Sequence, residues 1–204
     1  MTIESNKTMG GIGAILLFIG LIPFGEPFTG IIALVGLILV LVALYGFAKI
    51  YKEKGIFNNF IYAIITGIVG SAVAGVVAVI SLLTTLKNFL YQIYPGWDGN
   101  WSNLSGLTSN TSNIDMNSVL PLLVDLIVVF VVLWISVIVA AFLIRKSLKA
   151  LSTKTSVGLF SIAALLLLIG AFLTIILIGF ILMWIAVLLI AIAFFEIKPP
   201  LEPM

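Results

Sequence analysis

Ser156 to Phe195 reads SVGLFSIAALLLLIGAFLTIILIGFILMWIAVLLIAIAFF, without one charged side chain. As a single helix this stretch would be about 60 Å long, twice the roughly 30 Å hydrocarbon thickness of a bilayer. It must fold back on itself. The turn is expected around Thr174 to Gly179, giving two membrane spans, 157–174 and 178–195, joined by a very tight connection. The rest of the chain has the same character: of 204 residues, 62% are hydrophobic and 9% charged. An average soluble domain carries about a quarter charged residues. A soluble protein of this size and composition would leave large apolar patches in water and aggregate. Lipid is the solvent that removes the problem.

Working back towards the N-terminus, four more apolar runs emerge. Val119 to Ile144 precedes Arg145-Lys146, and Phe60 to Leu86 is long enough to tilt or protrude. Gly30 to Ala48 leads into the charged stretch Lys49 to Lys54. Met9 to Phe24 is short, carries Gly10, Gly11, Gly13 and Gly20, and reads as a retained first span, with no small-residue cleavage site after it. The expected fold is therefore all-α: one polytopic transmembrane helix bundle over 1–204. Its six spans lie at 9–24, 30–48, 60–86, 119–144, 157–174 and 178–195. Residues 91–118 differ in kind, being rich in Asn, Ser, Gly and Thr with Tyr91, Tyr94, Trp97 and Trp101 in their first half. They read as a solvated loop whose aromatic end lies near the headgroups.

Lys and Arg are retained on the cytoplasmic side of short loops. With six spans and both termini in the cytoplasm, the inner face holds Lys7, Lys49, Lys52, Lys54, Arg145, Lys146, Lys149, Lys154 and Lys198, and the outer face only Lys87. The loop 91–118 is then extracellular, at the plasma membrane. It contains three N-glycosylation sequons, at Asn100, Asn103 and Asn110, and that pattern requires exposure on the translocated side. Asn6-Lys-Thr also matches but falls on the inner side.

With no cysteine and no histidine, this chain cannot supply disulfides, Cys/His zinc sites, its own iron–sulfur cluster, His-ligated haem or a cysteine nucleophile. No Walker, G-x-S-x-G or H-E-x-x-H motif occurs, so neither catalysis nor a cofactor is expected. The net charge of +2 gives no reason to expect nucleic acid. Gly67, Ser71 and Gly75, with Gly70 and Ala74 beside them, form a small-residue stripe suited to close helix packing, inside the protein or against a partner. Asp125 is the one ionisable residue clearly within a span. Two readings stand for it: an ion pair with Lys87 at the outer boundary, or a proton or cation site. Trp134 and Trp184 read as core packing or as the wall of a lipid or quinone pocket. Glu53 among its lysines reads as part of a solvated inner loop.

A faint internal repeat accompanies the first and last hairpins. Leu16 to Gly20 resembles Leu166 to Gly170, and Val35 to Ile50 aligns without gaps on Leu182 to Ile197. Three other stretches carry a family resemblance: Gly11-Ile-Gly-Ala-Ile-Leu-Leu-Phe-Ile-Gly-Leu-Ile-Pro23, Gly36-Leu-Ile-Leu-Val-Leu-Val-Ala-Leu-Tyr45 and Lys52-Glu-Lys-Gly-Ile-Phe-Asn-Asn59. Together they resemble an uncharacterised family of archaeal multi-spanning membrane proteins, classed as a domain of unknown function. The resemblance implies an archaeal source and supplies no activity and no functional residues. The expectation is a non-catalytic accessory or scaffolding subunit, in contact with lipid and with other membrane subunits or copies of itself. The rival expectation is a small transporter or channel built on Asp125.

Overall fold

The computed structural model describes residues 2–22, 28–110, 114 and 116–198. Among them every regular element is helical. These are α1 (Ile3–Gly20), α2 (Thr29–Ile50), α3 (Lys54–Ser81), a π-helical turn (Leu82–Leu86), α4 (Lys87–Ile93), a 3-10 turn (Trp101–Gly106), α5 (Met116–Thr155), α6 (Leu159–Leu173), a second 3-10 turn (Thr174–Ile176) and α7 (Ile178–Glu196). Five helices are long and apolar enough to cross a membrane: Thr29–Ile50, Lys54–Ile93, Met116–Thr155, Leu159–Ile176 and Ile178–Glu196. The chain is thus all-α with several apolar helices of membrane-spanning length.

The expected first span differs from what is found. The helix begins at Ile3, six residues ahead of Met9, because Thr2 caps it by accepting the backbone N–H of Ser5 at 3.2 Å. Glu4 and Lys7 thereby fall inside α1, which is not among the five helices of spanning character. Pro23 and Phe24, the expected end of that span, lie outside the described residues. The third and fourth apolar runs sit in helices of 40 residues each, about 60 Å long.

The chain forms two compact units. The first comprises Met1–Gly67 and Val137–Met204. Its interior is a set of fully buried aromatics. Phe47 stacks on Phe194 with centroids 6.1 Å apart, and Phe160 meets Phe194 edge-on at 5.0 Å. In the gapless repeat Phe47 and Phe194 are equivalent positions. Ala43, Leu44 and Gly46 likewise correspond to Ile190, Ala191 and Ala193, and all six are buried. Positions aligned by the faint repeat are thus buried in both α2 and α7.

Glycine lets the backbones approach. A Cβ on Gly13 would lie 2.8 Å from the Gly36 carbonyl oxygen, and one on Gly36 would lie 2.6 Å from that of Gly13. Aromatic rings use the neighbouring gap, since a Cβ on Gly10 would meet the Phe194 ring at 2.6 Å. In the last hairpin the chain reverses over Thr174 to Leu177. Leu177 adopts φ +62°, a left-handed conformation that costs a branched side chain about 1–2 kcal/mol. Gly170 and Gly179 face each other across this turn, where a Cβ on Gly170 would stand 2.9 Å from the Gly179 carbonyl. Polar side chains add cross-links. Trp184 Nε1 donates to the Phe18 carbonyl at 2.9 Å while its ring stacks on Phe18 at 4.2 Å, and the buried Ser147 hydroxyl donates to the Ile56 carbonyl. For Trp184 the packing role is the observed one. Asn6, of the fourth sequon, is fully buried against Gly46.

The second unit, Ile68–Ser136, has far less interior. Gly70 packs on Ser136, whose hydroxyl would lie within contact of any Cβ placed there, and Ala74 is buried one turn further on. Around that seam Ile68, Val76, Leu83, Leu126 and Ile127 are exposed.

The packing argument yields an expected outcome. Gly13→Leu forces α1 and α2 apart and should destabilise the protein by about 1–3 kcal/mol. Gly30→Leu, where an added Cβ would meet nothing within 4 Å, should be close to neutral. Thermal unfolding in detergent checks the pair, and equal losses would refute the close-approach account.

Candidate functional site

The second unit brings Asp125 to the π-helical turn. Ser81, the last residue of α3, donates its hydroxyl to Asp125 Oδ2 at 2.7 Å, and the Thr85 hydroxyl lies beside the same carboxylate. Thr84 turns the other way, its hydroxyl donating to the Ile80 carbonyl at 2.7 Å. A π turn inserts one residue into the helical ladder, and such turns are frequent at functional sites. Here it follows Ser81 directly, so Ser81 and Thr85 both present oxygen to the one carboxylate in the span.

The expected ion pair between Asp125 and Lys87 is not formed. Lys87 Nζ instead lies over the Tyr91 ring, 5.9 Å from its centroid, and packs against Gly99, which has φ +85°. The one ion pair among the described residues is Lys154 to Glu53 at 3.9 Å. The physical reason is reach. Two hydroxyls already stand at the carboxylate, while the lysine stem extends towards Tyr91 and Gly99, where a ring face is available. No group of three or more His, Cys, Asp or Glu side chains that could hold a metal occurs among the described residues.

The loop after α4 is folded around a side chain. Trp97 is 4% exposed, packs on Tyr91 at 5.0 Å and Trp101 at 5.2 Å, and donates Nε1–H to the Asn100 carbonyl at 2.7 Å. Asp98 accepts the Asn100 backbone N–H and the Asn103 side-chain amide, each at 2.8 Å, and these bonds hold its carboxyl below the usual carboxylate range. Within the expected solvated loop, whose described residues are otherwise exposed or half-buried, Trp97 is the centre of a small cap. Sequence patterning missed it because a single buried residue has no period.

The three sequons differ in this cap. Asn100 spends its Oδ1 on the Ser102 N–H at 3.1 Å, and the Asn103 amide nitrogen already donates to Asp98. Asn110 anchors the segment through its backbone N–H to the Ile93 carbonyl at 2.8 Å. The small-residue stripe also resolves into two faces. Gly70 and Ala74 make the internal contact, whereas a Cβ on Gly67 or Gly75 would meet nothing within 4 Å and Ser71 is exposed.

Comparison with known proteins gives a family. Residues 32–188 match the model of a family described as Protein of unknown function (DUF996). A relative from Methanocaldococcus jannaschii, described as "Uncharacterized protein MJ1644", is 27% identical over 202 residues, covering 99% of this chain and 97% of the relative. No solved structure matches. The family match covers well over half of the chain, which therefore belongs to the DUF996 family, a family of unknown function, and has an archaeal relative along nearly its whole length.

Proposed function

We propose that this chain is a six-span protein of the cell membrane, with both termini in the cytoplasm and residues 91–118 outside. The support is the segregation of charge, with nine of ten Lys and Arg residues falling on one side in that arrangement. The chain has no native cysteine, so single cysteines at Ser105 and Lys149 report the topology. Ser105→Cys should react with an impermeant thiol reagent in intact cells, and Lys149→Cys only after the membrane is opened. Labelling of Lys149→Cys in intact cells would refute the arrangement.

Within it the chain acts as a non-catalytic accessory or scaffolding subunit that seats another membrane helix. One observation carries this reading: the side of α3 that bears Gly67, Ser71 and Gly75 is left open while Gly70 and Ala74 serve the internal contact. In lipid, helices associate through close packing because the tails are as apolar as the side chains, and small residues permit that approach. Gly75→Leu should leave the thermal stability of the isolated chain unchanged and reduce its co-purification with partner subunits or its own copies. The neighbouring Val76→Leu, at an exposed position, should leave both unchanged. An identical partner profile for both variants would count against the scaffold.

The Ser81–Asp125–Thr85 cluster supports a second reading, a small transporter or channel that binds a proton or monovalent cation. Asp125→Asn in proteoliposomes should then abolish flux, with Lys87→Gln retaining it. Unchanged flux in Asp125→Asn would remove this reading and leave the scaffold.

A further inference from the structure

The turn between α2 and α3 carries a basic pocket that the scaffold does not use. Tyr45, Ala48, Lys49, Lys52, Lys54, Phe57 and Asn58 line a cavity of about 480 Å³ in the first unit. A second hollow of about 300 Å³ shares Tyr45 and Lys49 with it. The floor is aromatic, with Tyr45 and Phe57 meeting edge-on at 5.2 Å, and Lys49 Nζ lies 4.5 Å above the Tyr45 ring. Three ammonium groups stand around the rim, and none of them forms an ion pair among the described residues.

The one acid in the turn is held by other groups. Glu53 pairs with Lys154 at 3.9 Å and accepts the Gly55 N–H at 3.3 Å at the start of α3. It therefore does little to neutralise the rim. Backbone geometry adds a second observation. Glu53 N–H donates back to the Ala48 carbonyl at 3.0 Å and Lys52 N–H to that of Lys49 at 3.3 Å, the pair of hydrogen bonds that closes a helix on a left-handed residue. That seat ordinarily belongs to glycine. Here it holds Lys52, with φ +51° and an exposed side chain. The strained backbone at Lys52 thus sets an exposed ammonium group at the turn where glycine would fold more easily.

The pocket also lies at the ends of two apolar runs. The apolar run of α2 ends at Ala48 and that of α3 starts at Phe60, so aromatic floor and basic rim flank the point where both helices leave the apolar band. We propose that it binds the phosphate of an anionic lipid headgroup, with Lys49, Lys52 and Lys54 as the cationic ligands, Asn58 as an amide donor, and Tyr45 and Phe57 against the glycerol end of the chains. Clusters of lysine next to a membrane helix attract anionic lipid, and pockets between helices add selectivity to that attraction.

The test uses the full chain in mild detergent, with phosphatidylglycerol or phosphatidylcholine added, read by native mass spectrometry and thermal unfolding. Wild type should retain and be stabilised by phosphatidylglycerol only. The combined Lys49→Gln, Lys52→Gln and Lys54→Gln variant should bind it about tenfold or more weakly. A control of equal charge loss elsewhere, Lys7→Gln with Lys146→Gln and Lys149→Gln, should bind as wild type does. Lys52→Gly separates charge from folding: relieved of strain, it should unfold at a higher temperature without lipid and still bind phosphatidylglycerol less well. Equal weakening by both triple variants would reduce the effect to net charge and overturn the proposal. So would full retention by the site variant, or equal retention of phosphatidylcholine. Displacement of the lipid by inorganic phosphate alone would assign the pocket to a soluble anion instead.

Discussion

The first unit depends on how close two helix backbones can come. In hydrocarbon an exposed leucine and a buried one have nearly the same surroundings, so burying apolar area yields little. What remains is dispersion between atoms in contact, and that falls steeply with a gap of even half an ångström. Gly13 and Gly36 remove the side chains that would hold α1 and α2 apart, and Gly170 and Gly179 do the same for α6 and α7. Rings fill the spaces left beside them, which is why Phe47, Phe160 and Phe194 are the largest fully buried side chains. The equivalence of Phe47 and Phe194 in the repeat means that both hairpins make the same contribution to one core.

Once the backbones are that close, polar side chains can serve as specific links. Trp184 finds the Phe18 carbonyl and Ser147 finds that of Ile56. Each link satisfies a donor that hydrocarbon could not, and an unsatisfied one would be costly. The same economy explains the turns. Lys52, Ser156 and Leu177 all take left-handed backbone positions, and each stands at or next to the junction of two helices. The strain is local and is tolerated because the helices on either side are held by their own packing.

The second unit follows different rules. Its seam is narrow, limited to the neighbourhood of Gly70, Ala74 and Ser136, and most of its apolar side chains face outward. Its polar features gather further along the chain. The Asp125 carboxylate takes hydroxyl partners from the helix that precedes the loop, and the Trp97 cap closes over Tyr91 and the base of that loop. Lys87 belongs to the cap and not to the carboxylate.

Much of this was legible in the residues alone. Helical class, the positions of the apolar runs, the fold-back near Thr174 and the family follow from properties that each residue carries wherever it stands: hydropathy, charge and identity. The glycines of the first run were readable as packing residues for the same reason. Partner choice was not legible. Gly67, Ser71 and Gly75 make the cleaner stripe in sequence, yet the contact falls on Gly70 and Ala74, whose offset along the helix turns them to another side. A helix that is apolar all round has no polar face to set its rotation, so spacing cannot say which side meets a neighbour. Asp125 was visible as the lone charge in its span, but its partners depended on a π turn that no pattern announces. The basic turn read as a solvated stretch until its backbone closed on Lys52 and set three ammonium groups around one cavity. Composition decides where such a chain can live, and only the rotation and approach of its helices decide which of its few polar groups meet.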